Sequence, residues 1–225
     1  MNRGRVFMNG KLYAVGVGPG DPELLTLKAV KTLKTADIFA CPAKEGAPGL
    51  AYQIAQQACP FIASKEQMAV CFPMERGDLA EAHQEAADQI MQHLRSGKNV
   101  AFLTLGDPGL YSTFIYVAEI IRENGFEIEI INGIPSFCAA SARLKIPVAS
   151  GSEAVLITSG EYCNFDGTLV IMKAGGRLRS LKEKISAAGK SAYLVENCGL
   201  PNEKVYDDIR SMPDEAGYFS LLLVR

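Results

Sequence analysis

Apolar and polar positions along the chain follow two alternating periods. Residues 12–17 are a short apolar run of the length of a buried strand. Residues 24–35 then carry Leu24, Leu25, Leu27, Val30 and Leu33 at helical spacing. The alternation continues: strands are expected at 37–40, 69–72, 99–105 and 127–131, and helices at 49–58, 78–96 and 113–123. The segment "DLAEAHQEAADQIMQHLRS" is the clearest helix, with Asp78 as its cap, many alanines, and Gly97 as its stop. In the second half, helices are expected at 136–144 and 178–188, and strands at 154–158, 169–173, 191–195, 203–209 and 218–224.

Strands alternating with helices predict an α/β fold whose first sheet is parallel and covered by helices. The last strands follow one another with little helix between them, which predicts a mixed or antiparallel second sheet. The pattern thus reads as two α/β domains, 1–132 and 133–225, divided near Asn132-Gly133.

Composition narrows the class. The chain has 225 residues, 48% hydrophobic and 21% charged, enough apolar content for a substantial core. A formal net charge of −2 without a like-charge block argues against a nucleic-acid or membrane-surface partner. No apolar run reaches the length of a membrane span, and the first ten residues lack the apolar core of a secretory signal, so the expected location is cytoplasmic. The six cysteines form no C-x-x-C pair and read as reduced thiols. His83 and His93 are the only histidines, ten residues apart on one helix and not on one face. No protein-held metal is expected, and a Ser-His-Asp triad is hard to build.

The glycine-rich stretch at 15–26, "VGVGPGDPELLT", resembles a dinucleotide loop only in outline. Its spacing is G-x-G-x-G, and Asp21-Pro22-Glu23 stands where a pyrophosphate would need free amides. The expectation is that Asp21 caps the following helix, Pro22 takes its first position and Glu23 complements its dipole. A phosphate would then meet like charge, whereas a flat uncharged or cationic group could approach the bare glycine backbone. Gly-Asp-Pro recurs at 106–108, again between a buried strand and a helix. Ligands of open α/β sheets bind at such strand ends. Neither a P-loop nor a ribose-binding acid closing the second strand is present, since Cys41-Pro42 stands there.

These stretches are similar to the signatures of the tetrapyrrole methylases, the class III S-adenosylmethionine-dependent methyltransferases. "YAVGVGPGDPELLTLKAVKTLKTADIFACP" resembles the opening signature and "TLGDPGLYSTFIYV" the second one. The resemblance continues through "EIEIINGIPSFCAASARLKIPVASG", "GTLVIMKAGG", "AYLVENCGLPNEKVYDDI" and "YFSLLLVR", almost the whole chain. Within the family, "SFCAA", the "ARL" that follows and "YFSLLLV" look most like the members that methylate carbon 20 of precorrin-2 or cobalt-precorrin-2 in cobalamin biosynthesis. The alternatives are methylation of another ring carbon, or a diphthine synthase-like protein methyltransferase.

The resemblance implies a homodimer of two-domain chains with S-adenosylmethionine held between the domains and released as S-adenosylhomocysteine. Carried over by position, Pro19 would line the cofactor site. Leu105, Gly106 and Asp107 would meet the methionine part, followed by Leu110, Ser112 and Thr113. Pro135 and Ser136 would follow the fifth strand, Met172 would lie near the adenine, with Lys173 one register away, and Cys198 with Gly199 would make the last contact. Two stretches depart from the family pattern. Asn132-Gly133-Ile134-Pro135 replaces Pro-Gly, and Pro135 removes a backbone donor; residues 157–160, "ITSG", also differ from the family form after the sixth strand.

A sulfonium methyl needs little covalent help, so rate is expected from proximity, in-line orientation and preorganised dipoles. No side chain is compelled to be a general base. Tyr111 is a candidate for substrate contact, and equally a packed aromatic at a helix start. A flat substrate with a polyanionic rim calls for local cations, and Arg143 with Lys145, Arg177 and Arg179 are the candidates.

Overall fold

In the computed structural model the described residues are 9–43, 49–72 and 79–225. They divide into two compact units. One consists of the residues up to Gly18 and Pro22–Ile134, the other of Pro19–Asp21 and Pro135–Arg225.

The first unit contains strands β1 (Leu12–Gly16), β2 (Ile38–Pro42), β3 (Glu66–Val70), β4 (Val100–Thr104) and β5 (Ile128–Ile131). They form one sheet in the order β3-β2-β4-β1-β5, all parallel. Its helices are α1 (Leu27–Thr35), α2 (Leu50–Ala58), α3 (Leu79–Arg95) and α4 (Phe114–Glu123). Side chains alternate along each strand, so one sheet buries two cores. Leu12, Ala14, Val100 and Phe102 pack with Ile90 and Leu94 of α3 and Val117 and Ile121 of α4. Val15, Ala101 and Leu103 pack with Ala29 and Leu33 of α1 and with Ile54 and Ala55 of α2. The connections leaving β1 and β4, neighbours in the sheet, therefore run to opposite faces. That is a topological switch point, the place on an open α/β sheet at which ligands bind.

The second unit contains β6 (Val155–Ser159), β7 (Thr168–Met172), β8 (Ala192–Glu196), β9 (Lys204–Tyr206) and β10 (Ser220–Val224), with helices α5 (Ser136–Leu144) and α6 (Leu178–Ala187). Its sheet order is β6-β7-β10-β8-β9. Only β6 and β7 pair parallel; β10 runs antiparallel to both β7 and β8, and β8 to β9. Ala140 of α5 packs on Val170, Val195 and Leu223, while Leu181 and Ile185 of α6 pack on Leu169, Leu194 and Leu222 on the other face. The mixed sheet expected from the closely spaced final strands is present.

The largest difference from the expected elements lies after the first glycine loop. Pro22–Leu24 is a single 3-10 turn, and α1 starts at Leu27 rather than Leu24. Its cap is Thr26, whose hydroxyl accepts from the Ala29 amide at 3.1 Å. Asp21 is thus not the cap of that helix, and Leu27, placed in the apolar stripe by its spacing, is 80% exposed. A threonine three residues ahead of a free amide is a strong cap, and Pro22 sits in the tight turn that its fixed φ favours. The expected cap Asp78 lies outside the described residues.

Of the six cysteines, Cys41, Cys59 and Cys198 are buried and Cys71, Cys138 and Cys163 exposed; all are free thiols. Among the described residues, no helix is long and apolar enough to cross a membrane.

Candidate functional site

The two glycine loops of the first unit meet at the switch point. Gly18 and Gly106 form an isolated antiparallel bridge, with the Gly106 amide 2.8 Å from the Gly18 carbonyl and the return bond 3.3 Å. Both glycines have positive φ, 75° and 67°. The β5 end joins them closely: a Cβ on Gly16 would stand 2.6 Å from both the Gly106 carbonyl oxygen and the Gly133 amide nitrogen. A Cβ on Gly133 would stand 2.0 Å from the same Gly106 oxygen. Backbone here lies on backbone, and only glycine leaves the room.

Asp107 ties this cluster. Its Oδ1 accepts from the Gly109 amide at 2.8 Å, and its Oδ2 accepts from the Gly133 amide and the Asn132 side-chain amide, each at 3.1 Å. Each carboxylate oxygen has two lone-pair directions, so Oδ1 keeps acceptor capacity for a cationic group. Thr26 adds a second tie, its hydroxyl donating to the Asn132 carbonyl at 3.3 Å.

Beyond Asp107 the chain passes the half-buried Leu110 and enters Tyr111 at φ 48°, a conformation that costs a non-glycine residue about 1–3 kcal/mol. Tyr111 is 46% exposed. Ser112 is buried, and its hydroxyl lies 3.1 Å from that of Thr104 and accepts from the Phe114 amide at 3.2 Å. It therefore serves the start of α4, while Thr113 holds the cap position without a capping hydrogen bond from its side chain. Leu105, Gly106, Asp107, Leu110, Ser112 and Thr113 are thus gathered at the β4 end of the first unit.

Pro19, Pro135, Ser136, Met172 and Cys198 belong to the second unit. Pro135 holds the cap position of α5 and Ser136 opens it. Met172 ends β7, where its carbonyl accepts from the Gly160 amide at 2.7 Å. Lys173 follows at φ 56°, with its ammonium 5.6 Å from the centre of the Tyr218 ring. The Cys198 thiol is pushed up to about 11, first by burial and then by the Glu203 carboxylate, so it stays protonated at neutral pH.

Pro19–Asp21 lies directly on the loop that follows β8. A Cβ on Gly20 would stand 2.4 Å from the Cys198 carbonyl oxygen, and one on Gly199 would stand 2.5 Å from the Asp21 amide nitrogen. Beside this contact, Arg143 of α5 places its Nε 3.2 Å from each oxygen of Glu203 and its Nη2 3.6 Å from Asp21. Glu203 holds the Arg143 guanidinium above its ordinary pKa. The other two candidate arginines also face carboxylates, Arg177 pairing with Glu161 and Arg179 lying 3.5 Å from Asp214.

Sequence reasoning placed the glycine and Asp-Pro positions but passed over Asn132, Gly133 and Thr26 as parts of the β5 junction, and Glu203 as the partner of Arg143. A glycine just past a strand end was a usable signal for Gly133. Nothing local marks Glu203, which lies 60 residues from Arg143.

The profile of the Tetrapyrrole (Corrin/Porphyrin) Methylases matches residues 11–212. A protein of Methanocaldococcus jannaschii named as a probable cobalt-precorrin-2 C(20)-methyltransferase is 36% identical over 207 residues, covering 88% of this chain and 84% of its own. The cobalt-precorrin-2 C(20)-methyltransferase of Salmonella typhimurium is 32% identical over 96% of this chain and 97% of its own. Among solved structures, a cobalt precorrin-4 methyltransferase superposes with a TM-score of 0.74 at 21% identity, over 95% of this chain and 94% of that one. The uroporphyrin-III C-methyl transferase of Thermus thermophilus, solved with S-adenosyl homocysteine, gives 0.72 at 22% identity over 96% and 97%. These structures share the fold, and the profile spanning most of the chain establishes that it belongs to the tetrapyrrole (corrin/porphyrin) methylases.

Proposed function

We propose that the chain transfers a methyl group from S-adenosylmethionine to carbon 20 of precorrin-2 or cobalt-precorrin-2, as a homodimer. The observation that carries this reading is the pair of glycine loops bridged at Gly18 and Gly106 and tied to β5 by Asp107, in a chain whose relatives bear that activity in their names.

The loops suit this cofactor. It has no phosphate, and the Thr26 hydroxyl already takes the Ala29 amide at the start of α1. It has a cationic ammonium, and Asp107 presents a carboxylate with acceptor capacity in hand. When bound, S-adenosylmethionine supplies a methyl group on a sulfonium, which passes to a nucleophilic carbon of the reduced macrocycle, while that carbon later gives up its proton.

The work of the chain's own residues is to bind and orient. Leu105, Gly106, Asp107 and Leu110 hold the methionine part. Pro19, Pro135, Ser136, Met172 and Cys198 are the further contacts that the family resemblance assigns to the cofactor. Ser112 and Thr113 act by fixing the loop at the start of α4. A single aligned encounter replaces covalent catalysis, so rigidity of these loops is the main source of rate. Arg177 and Arg179 meet rim carboxylates of the substrate by exchanging one carboxylate partner for another.

The test is incubation with S-adenosylmethionine and either enzymatically made precorrin-2 or its cobalt form. The expected result is a product heavier by one methyl group, placed on carbon 20 by NMR, with S-adenosylhomocysteine formed in equal amount. Methylation at another ring carbon would move the assignment within the family. No transfer to either macrocycle would overturn it.

A further inference from the structure

The cluster around Arg143 is built differently from a substrate-carboxylate site. One guanidinium faces two carboxylates, Glu203 and Asp21, so the three groups together carry net negative charge. An incoming macrocycle carboxylate would meet that charge and would have to compete with Glu203 for the Nε–H donor. The two acids lie on separate chain segments. Asp21 ends Pro19–Asp21, the piece of the first glycine loop that packs with the second unit. Glu203 lies just before β9, and its Oε2 also accepts from the Gly199 amide at 2.5 Å. Glycine on each side lets the two backbones touch, but contact between bare backbones has no directional preference. The hydrogen-bonded ion triad supplies the direction.

We infer that Arg143 is a positioning residue: through Asp21 and Glu203 it fixes the backbones of Pro19–Asp21 and of Cys198-Gly199 against each other. This rests on the reading that Pro19 and Cys198 contact the cofactor. Arg143 itself touches neither cofactor nor macrocycle. Its effect on the reaction passes through where those two loops sit.

The test compares the full chain with Arg143→Ala, Arg143→Lys and Glu203→Gln in three measurements: S-adenosylhomocysteine binding by calorimetry, KM for the macrocycle, and amide hydrogen exchange of the unliganded protein. A misplacement of about 1 Å by a mutation far from the chemistry can cost on the order of a hundred-fold in rate. Arg143→Ala is expected to raise the S-adenosylhomocysteine Kd about ten-fold, to leave the macrocycle KM unchanged, and to speed exchange at Gly20, Asp21 and Gly199 together. Glu203→Gln should follow it. Arg143→Lys, which keeps the charge but loses the planar fork, should restore part of both effects. A half-exposed ion network contributes little global stability, so the melting temperature should hold nearly constant. A raised macrocycle KM with unchanged Kd and exchange would overturn the inference and make Arg143 a substrate ligand. Faster exchange without any change in Kd would overturn the link to the cofactor. If the unsubstituted chain binds no S-adenosylhomocysteine, the proposed function fails, and the exchange data still decide whether the clamp exists.

Discussion

At the residue scale, the site is made by what is missing from side chains. Gly16, Gly106 and Gly133 bring three strand ends to within backbone contact, and Asp107 ties the β5 end with Oδ2 and its own loop with Oδ1. Gly16→Ala would press a methyl group 2.6 Å from two backbone atoms that have no flexible end to move. Overpacking of this kind costs about 1–3 kcal/mol. The expected outcome is a lower denaturant midpoint together with weaker S-adenosylhomocysteine binding, read by urea unfolding and calorimetry. A variant with native stability and native Kd would show that the close approach is not needed. The glycines and Asp107 were legible in the sequence because a Gly-Asp-Pro between a buried strand and a helix has a restricted set of uses. The partners of Asp107 were not, because Asn132 and Gly133 lie 25 and 26 positions further along the chain.

At the element scale, local signals placed nearly all strands and helices, and failed where two capping signals compete. Asp21 and Thr26 both suit an N-cap. The structure uses Thr26, which closes the Ala29 amide and also donates to Asn132. Thr26→Ala removes both bonds, and loss of a threonine cap costs about 1 kcal/mol. Urea unfolding should show a drop of that size with an unchanged m value; a loss under about 0.3 kcal/mol would mean that Asp21 or solvent takes over the cap. The other end of α1 is closed from outside the helix. The Lys65 ammonium donates to the carbonyls of Leu33, Lys34 and Ala36 at 3.1, 2.7 and 2.6 Å, a favourable charge at the negative end of the dipole. No local pattern could announce that, since Lys65 precedes β3 and reads there as an ordinary solvated charge.

At the scale of the whole molecule, carboxylates held by cations recur in both units. In the first, Lys11 and Lys28 hold Glu129 down to about 2, and Lys98 lowers Glu66. In the second, Arg210 holds Asp208 down to about 2 and Lys182 lowers Asp214. Each has a lower pKa folded than unfolded, so the unfolded chain takes up protons first as pH falls. The stability they contribute is present in full above their ordinary values of 4.5 for Glu and 3.8 for Asp, and is lost as pH falls toward about 2. Melting followed by circular dichroism should therefore hold steady from neutral pH to about 5, then decline steadily below. High salt should shrink the decline, because all these pairs are partly exposed. A melting temperature that rises on acidification below pH 4 would contradict the assigned ion pairs.

By itself the sequence determined the α/β class, the parallel and mixed character of the two sheets and the family, and it pointed to the glycine and Asp-Pro positions of the candidate site. These depend on periodicity and on residues whose backbone demands are local. The tertiary structure alone decided that Pro19–Asp21 packs with the second unit, that Thr26 rather than Asp21 caps α1, and that Arg143 faces Asp21 and Glu203 rather than standing as a free cation. Those outcomes depend on which distant segments become neighbours, and a guanidinium shows no preference among carboxylates until the fold sets their distances.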